Sequence, residues 1–161
     1  MTGMETIYRS HAESVYRFAY WLCGDGHEAE DIVSETFIRA WGGLENPAVG
    51  TIKAYLFTIA RNVFLARRKR NARYTALPER VAAPSLPPDA PAERRDQVRA
   101  VMAAMQELNE SDRAALLMRV QHDLSYQEIA RSLGISIAAA KVRVHRARLR
   151  LNRLCETKGA S

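Results

Sequence analysis

The amino-acid sequence predicts an all-α protein: two small helical domains joined by a proline-rich flexible linker, the C-terminal one containing a helix-turn-helix. Apolar residues recur at steps of three and four along most of the 161-residue chain, and no segment alternates convincingly with a period of two. Five of the six prolines lie in residues 78–91, where they exclude a regular helix or a central strand. We therefore assign residues 1–76 to the first domain, 77–93 to the linker, 94–156 to the second domain and 157–161 to a tail.

The first domain is predicted to contain three helices, each with one apolar stripe. The stripes consist of Ile7, His11, Val15, Phe18 and Leu22, then Ala29, Ile32, Val33, Thr36, Phe37 and Ala40, then Ile52, Leu56, Ile59, Val63 and Ala66. Asp25 with Glu28 resembles a capping box at the start of the second helix, and Gly42-Gly43 is expected to end it.

The second domain is predicted to contain four helices, and the last two form the helix-turn-helix. The first is marked by Val98, Val101, Met105 and Leu108, and the second by Leu116, Leu117 and Val120 with a cap at Asn109 or Ser111. Ser125 and Glu128 make a capping box for the third, which carries Ile129, Ala130 and Leu133. Gly134 then stops that helix and Ser136 can cap the fourth, which is the pattern of a helix-turn-helix.

The last helix divides into an inward stripe and a cationic outer face. The predicted stripe is Ile137, Ala140, Val144, Ala147 and Leu151, and the opposite side carries Ala138, Ala139, Lys141, Val142, His145 and Arg146. Its cations are Lys141, Arg143, Arg146, Arg148, Arg150 and Arg153, with no acid before Glu156. Such a run repels itself unless a polyanion neutralises it, so DNA binding is favoured over a merely solvated basic face. Lys141 is the first residue of this helix able to hydrogen-bond to a base edge.

Charges in the first domain leave two interpretations open. The second helix carries Glu28, Glu30, Asp31 and Glu35, which form either a protein-docking surface or a solvated face. The third helix ends in Arg61, Arg67, Arg68, Lys69, Arg70 and Arg73, interleaved with Tyr55, Phe57, Asn62 and Phe64. Rings and cations together suit unpaired bases, but the phenylalanines are equally compatible with a core position.

Several classes of protein are excluded. A formal net charge of +6 favours polyanion partners, and two distant cysteines suggest reduced thiols. No apolar run approaches a signal peptide or a membrane span, so we expect a cytoplasmic protein without membrane insertion. The four histidines are scattered, and neither a phosphate-binding loop nor a nucleophile elbow is present. We therefore expect no enzyme activity, cofactor, metal or small-molecule substrate.

Three segments, taken in order, resemble the sigma factors of bacterial RNA polymerase, of the extracytoplasmic-function (ECF) type. They are DGHEAEDIVSETFIRAW at 25–41, KAYLFTIARNVFLARRKR at 53–70, and LSYQEIARSLGIS at 124–136 followed by AAKVRVHRARLRL. The resemblance covers nearly the whole chain. It implies a subunit that binds the polymerase core through the clamp coiled coil of the largest subunit and the flap, and that reads the promoter −10 and −35 elements. It also implies an anti-sigma partner.

The resemblance also implies roles for single residues. The residues implied to bind the polymerase core are Glu30, Asp31, Glu35 and Arg39. The residues implied to contact the −10 element are Lys53, Tyr55, Arg61, Asn62, Arg67 and Arg68. The residues implied to contact the −35 element are Ser136, Ala138, Ala139, Lys141, Val142, His145 and Arg146. The loop LENPAVGT at 44–51 is the implied pocket for a flipped base. The family often has a Gly-Thr pair and a serine where this chain has Ala138, Ala139 and Val142. A stand-alone helix-turn-helix regulator is the alternative.

Overall fold

The computed structural model describes residues 3–43, 51–74 and 90–159, and within these ranges the regular structure is helical without a β-strand. The α-helices are α1 (Gly3–Cys23), α2 (Gly26–Trp41), α3 (Ile52–Tyr74), α4 (Ala92–Glu107), α5 (Glu110–Leu116), α6 (Tyr126–Leu133) and α7 (Ile137–Gly159), with a π-helical turn at Leu117–Gln121. The predicted all-α class is confirmed. Most of the predicted linker and of the predicted base pocket lies outside the described residues, and α4 already begins at Ala92.

The predicted helix boundaries rest on caps that the structure contains. Asp25 accepts a hydrogen bond from the His27 amide at the start of α2, and Asn109 accepts one from the Asp112 amide at the start of α5. Ser125 and Glu128 form the predicted capping box of α6. Each of these bonds satisfies a backbone amide that has no partner within its helix, so the short helices begin at defined residues.

The first three helices pack together, and α3 buries Leu56 and Val63 of the predicted stripe together with residues outside it. The buried residues of α3 up to position 72 are Ala54, Leu56, Phe57, Ala60, Val63 and Phe64. Ile52, predicted to be inward, is 44% exposed, and Ile59 is only partly buried. Residues outside the stripe are buried because α3 contacts α1 and α2 on one side and α6 on another. Phe57 and Phe64 are therefore core residues, which decides against their stacking on unpaired bases.

The segment between α5 and α6 departs from a regular helix. The His122 amide donates to the Leu117 carbonyl at 3.2 Å, which is the longer spacing of a π-helix. Asp123 then takes a left-handed conformation with φ of 57°. This local unwinding leaves Val120 57% exposed, although the sequence pattern places it in the buried stripe. It also turns the His122 side chain inward, where it is 5% exposed.

The two halves of the chain share one apolar core. Phe18 of α1 stacks on Phe57 of α3, with ring centroids 4.6 Å apart and nearly parallel planes. The ring of His122, from the second half of the chain, meets Phe57 edge-on at 4.5 Å and Phe18 at 6.1 Å. The halves are therefore joined by a packed aromatic cluster as well as by the chain.

Burial of the His122 ring, together with the nearby charges of Lys53 and Arg17, lowers the pKa of His122 from 6.5 to about 4. The folded protein therefore favours the neutral ring, whereas the unfolded chain takes up a proton near pH 6.5. We expect stability to fall as the pH drops from about 6.5 to 4, with His122 contributing a loss on the order of 3 kcal/mol at pH 4. Urea unfolding at several pH values checks this.

His122→Gln is the matched variant, because it keeps a polar side chain that has no proton to gain in this pH range. We expect its stability to fall less steeply between pH 6.5 and pH 4 than that of the wild type. Equal slopes for the two proteins would show that other groups account for the acid sensitivity.

Candidate functional site

The second half of the chain forms the predicted helix-turn-helix. Gly134 ends α6 in the left-handed conformation, with φ of 68°, which a residue carrying a Cβ rarely adopts. Two residues later, the Ser136 hydroxyl accepts a hydrogen bond from the Ala139 amide at 3.0 Å and so caps α7. These two residues set the direction in which α7 leaves the turn.

The outer face of α7 matches the sequence prediction. Ala140, Val144 and Ala147 are buried against the rest of the domain. Ile137, assigned to the same stripe and the first residue of α7, is 47% exposed. The exposed residues of the opposite face are Ala138, Lys141, Val142, His145 and Arg146, with Ser136 exposed at the cap and Ala139 partly buried.

Arg146 is not a free cation on this face. Its guanidinium makes two hydrogen bonds to the Asp112 carboxylate of α5, at 3.0 and 2.8 Å. Asp112 is only 4% exposed, and this pairing raises the pKa of Arg146. Arg143 also approaches Asp112, at 3.7 Å. Lys141 and Arg146 are the two cations in the set predicted to contact the −35 element. Lys141 is exposed, whereas Arg146 is engaged in holding α7 to α5.

Lys141 lies beside an aromatic ring of the neighbouring helix. Its Nζ is 5.7 Å from the ring centroid of Tyr126, the first residue of α6. The Arg119 guanidinium lies over the same ring at 4.3 Å and donates to the Leu124 carbonyl at 3.0 Å. An aromatic face attracts cations, so Tyr126 brings two of them together at the turn. Neither Tyr126 nor Arg119 was predicted from the sequence, because their approach to Lys141 depends on how α6 and the turn before it pack beside α7.

The six residues predicted to contact the −10 element all lie on α3, and they fall into three groups of two. Asn62 and Arg68 are exposed to solvent. Arg61 and Lys53 instead bind the second half of the chain, Arg61 through the Glu110 carboxylate and Lys53 through the His122 carbonyl.

The two remaining residues of that set make contacts within the first half of the chain. Arg67 pairs with Asp31 of α2 at 3.3 Å, so a residue predicted to contact DNA is paired with one predicted to bind the polymerase core. Tyr55 places its hydroxyl against Gly43, where a Cβ would leave no room for it. Gly43 is therefore needed for this approach. Of the predicted base pocket at 44–51, only Thr51 belongs to the described residues.

The acidic side of α2 also carries exposed apolar residues, which the predicted core-binding set does not include. Glu30 and Asp31 are exposed, and Glu35 pairs with Arg39 at 2.9 Å along the helix. Beside them, Ile38 and Trp41 of α2 are 74% and 67% exposed. With Tyr8 of α1 they border a shallow groove, also lined by Met4, Glu5, Arg9 and Phe37. Exposed apolar residues so close together are typical of a protein-binding surface. The signal available in the sequence was the position of Ile38 and Trp41 outside the buried stripe.

Other kinds of site find little support in the described parts of the chain. Residues 3–43, 51–74 and 90–159 contain no group of three histidine, cysteine or acidic side chains placed to hold a metal ion. Both cysteines are free, and burial raises the pKa of Cys23 to about 12, so its thiol stays protonated. Within the same ranges, none of the helices has the length and apolar character needed to cross a membrane.

Comparison with known proteins yields two family matches and several whole-chain relatives. Residues 7–74 match Sigma-70 region 2 and residues 98–151 match Sigma-70 region 4. The chain is 36% identical over 156 residues to the ECF RNA polymerase sigma factor SigE of Mycolicibacterium smegmatis, covering 94% of this chain but 61% of that protein. It is 32% identical to SigL of Mycobacterium tuberculosis, covering 82% of it, and 30% identical to SigM of Bacillus subtilis, covering 94% of it.

Two solved structures share the fold. The sigma factor RpoE of Bartonella quintana, in complex with the anti-sigma factor NepR, superposes with a TM-score of 0.80 and 27% identity, over 94% of this chain and 96% of that one. CnrH, in complex with the cytosolic domain of CnrY, superposes with a TM-score of 0.69 and 22% identity, over 96% and 88% of the two chains.

Proposed function

Because the chain belongs to the family of ECF RNA polymerase sigma factors, we propose that it binds the polymerase core and directs it to promoters by reading the −10 and −35 elements. The observation that carries the proposal is the presence of both sigma regions, in order, in one chain that has an exposed cationic recognition helix. It acts in the cytoplasm, where polymerase and promoter are found. It contributes specificity, and the polymerase core carries out the chemistry.

Reading of the −35 element is assigned to α7. The N-terminal part of the second helix of a helix-turn-helix lies in the major groove, which here presents Ala138, Lys141 and Val142. Alanine and valine side chains can contact a thymine methyl but cannot hydrogen-bond to a base, so Lys141 supplies the direct polar contact. The remaining cations of α7 contact phosphates of the DNA backbone, which makes binding dependent on salt concentration.

Reading of the −10 element is assigned to α3. Asn62 carries both donors and acceptors on an exposed side chain and suits a base edge, while Arg68, exposed further along α3, suits a phosphate. Lys53, Arg61 and Arg67 extend the same cationic helix. A base that leaves the stack needs an enclosure nearby, and residues 44–51 precede α3 directly. Binding of both elements by one chain makes the second contact effectively intramolecular.

Docking on the polymerase core is assigned to α2. The proposed surface combines the acidic residues Glu30, Asp31 and Glu35 with the apolar residues Ile38 and Trp41. Aromatic side chains contribute most to protein interfaces, and the surrounding charges orient the partner. The family resemblance assigns the clamp coiled coil of the largest subunit to this surface and the flap to the second domain. Regulation by an anti-sigma protein is proposed from the likeness to RpoE, whose solved structure contains NepR.

Run-off transcription with bacterial core polymerase on a library of promoter templates tests the proposal. We expect transcripts that depend on this chain and start from a restricted set of templates, together with retention of the chain by immobilised core. If the Trp41→Ala variant is no longer retained by immobilised core but still binds duplex DNA, the docking surface lies on α2. Duplex binding without any affinity for core would instead favour the stand-alone regulator.

The contribution of Tyr126 to −35 reading is testable through Lys141. Lys141→Ala is expected to weaken binding of duplex containing the −35 element by about 10-fold while leaving core binding unchanged. Tyr126→Leu is expected to cost about 3-fold, because the ring no longer holds the two cations near the groove. Fluorescence anisotropy at fixed salt measures both effects.

Tyr126→Phe is the matched control, since it keeps the aromatic face and removes only the hydroxyl. We expect it to bind as the wild type does. In a Lys141→Ala background the cost of Tyr126→Leu should shrink, because one of its two cations is already gone. If Tyr126→Phe were as weak as Tyr126→Leu, the ring would have no positioning role.

A further inference from the structure

The pair between Asp112 of α5 and Arg146 of α7 joins a buried carboxylate to a guanidinium that is still open to solvent. Arg146 donates from Nε to Oδ2 at 3.0 Å and from Nη2 to Oδ1 at 2.8 Å. The side chain of Asp112 is 5% exposed, whereas that of Arg146 is 53% exposed. One partner is therefore fixed inside the domain, and the other extends from its surface.

This pairing uses one edge of the Arg146 guanidinium. An arginine side chain has five N–H donors arranged in a rigid, planar fork. Asp112 receives one donor from Nε and one from Nη2. The outer edge, formed by Nη1 and the second hydrogen of Nη2, is not used by this carboxylate. Two parallel donors on that edge match a partner that has two neighbouring acceptors.

Asp112 is a firm anchor for the pair. Its amide donates to the Asn109 side chain at 2.9 Å at the start of α5, and the next residues along that helix, Arg113 and Ala114, are buried. Arg143 of α7 also approaches Asp112 Oδ1, at 3.7 Å. Because two arginines face this one carboxylate, the local charge remains positive and still attracts a polyanion.

Arg146 lies on the face of α7 that is proposed to enter the major groove. Ala138, Val142 and Arg146 follow one another at steps of four residues, so they form one row along the helix, and all three are exposed. Alanine and valine cannot hydrogen-bond to a base. Arg146 is therefore the first residue of this row that is able to do so.

We propose that Asp112 is a positioning residue for reading of the −35 element: it holds one edge of Arg146, presents the other edge to the major groove, and so gives the protein a preference for guanine at one base pair. The inference rests on the proposed function of α7. It separates Arg146 from the cations of α7 that contact phosphates and adds it to Lys141 as a base reader. Guanine is the base whose major-groove edge has two adjacent acceptors, N7 and O6.

The contribution of Asp112 lies in ordering Arg146 before DNA is bound. A long side chain that becomes ordered at an interface lowers affinity by roughly 2- to 10-fold. The pair with Asp112 orders Arg146 in the free protein, so this loss is avoided on binding. The gain is restricted to a base that fits the outer edge, which is why it appears as a preference for one base.

The test is selection of bound sequences from a randomised duplex library by the full-length protein at fixed salt, followed by sequencing. We expect the wild type to select guanine at one position where Arg146→Lys has no preference, because lysine keeps the charge but lacks the planar fork. Asp112→Asn should reduce the ratio of guanine to the other bases at that position by about 5- to 10-fold. Preferences that depend on Lys141 should remain.

A second measurement compares one selected duplex with the same duplex carrying 7-deazaguanine, which lacks the N7 acceptor, at that position. Anisotropy should show about 5-fold weaker binding of the modified duplex by the wild type, and a difference below about 2-fold for Asp112→Asn. Each ratio compares two ligands of one protein sample, so any unfolded fraction cancels. A purely structural role of Asp112 would change neither ratio.

Asp96→Asn is the matched control, because Asp96 is an exposed acid of α4 in the same domain. It makes the same change in charge and should keep the guanine preference of the wild type. An equal loss of preference in Asp96→Asn would show that net charge causes the effect, and the positioning role would be overturned.

An unchanged guanine preference in Asp112→Asn would overturn the inference, and so would a wild type that selects no duplex. If Arg146→Ala weakened all duplexes alike and lowered the salt dependence by about one ion, Arg146 would contact a phosphate and the guanine assignment would be wrong. Failure of the proposed function looks different: the wild type would select duplexes through Asp112 and Arg146 but support no selective transcription with core polymerase.

Discussion

Phe57→Ala is expected to lower the free energy of unfolding by about 3–5 kcal/mol, the largest effect on stability predicted for a single side chain of this protein. Phe57 is fully buried, stacks on Phe18 at 4.6 Å and meets the ring of His122 at 4.5 Å. Truncation would leave a cavity at the point where both halves of the chain contribute to the core. Urea unfolding followed by circular dichroism measures the loss.

Trp41→Ala is the informative comparison for Phe57→Ala, because Trp41 is a large aromatic residue that is 67% exposed. Its removal should change the free energy of unfolding by no more than about 0.5 kcal/mol, while reducing retention by core polymerase. If Phe57→Ala unfolded like the wild type and lost only affinity for single-stranded DNA, Phe57 would be a stacking residue after all.

Arg146→Ala is expected to lower the midpoint of thermal unfolding by roughly 5 °C or more, in addition to any effect on DNA binding. The substitution removes both hydrogen bonds from Arg146 to Asp112, which is 4% exposed and would be left with the more distant Arg143 at 3.7 Å. A buried carboxylate without its partner is costly, whereas the loss of an exposed cation is not. Differential scanning fluorimetry measures the midpoint.

Arg148→Ala removes the same charge from an exposed position of α7 and should melt close to the wild type. The double variant Asp112→Asn with Arg146→Ala should recover part of the loss, since it removes the buried charge that Arg146 neutralised. Identical midpoints for Arg146→Ala and Arg148→Ala would mean that the Asp112 pair adds nothing to stability. Lys141→Ala, by contrast, should weaken DNA binding without lowering the midpoint.

Much of the local structure was predictable because its causes lie within a few residues of each other. The capping box of Ser125 and Glu128, the left-handed Gly134 and the Ser136 cap all follow from backbone groups that need partners at helix ends. The family resemblance was similarly accessible, since it depends on the order of three segments. These features required no knowledge of which helices pack together.

The predictions that failed concern residues whose environment is set by distant segments. Ile52 and Val120 fit a helical stripe but are exposed, Ile52 at the first position of α3 and Val120 in the π-helical turn after α5. Phe57 and Phe64 allowed two interpretations until their burial was known. Periodicity identifies one face of a helix; it does not identify which neighbour will cover that face or whether the helix stays regular.

The sequence by itself determined the all-α class, the helix-turn-helix, the cationic face of α7 and membership of the sigma family, because these follow from local capping, short-range periodicity and the order of segments. The tertiary structure alone decided which cations are paired with acidic residues and which remain exposed. Arg146 is paired with Asp112 and Arg61 with Glu110, while Lys141 stays exposed beside Tyr126. The sequence shows which residues are charged, but tertiary packing determines their partners, which here lie 34 and 49 positions away in the chain.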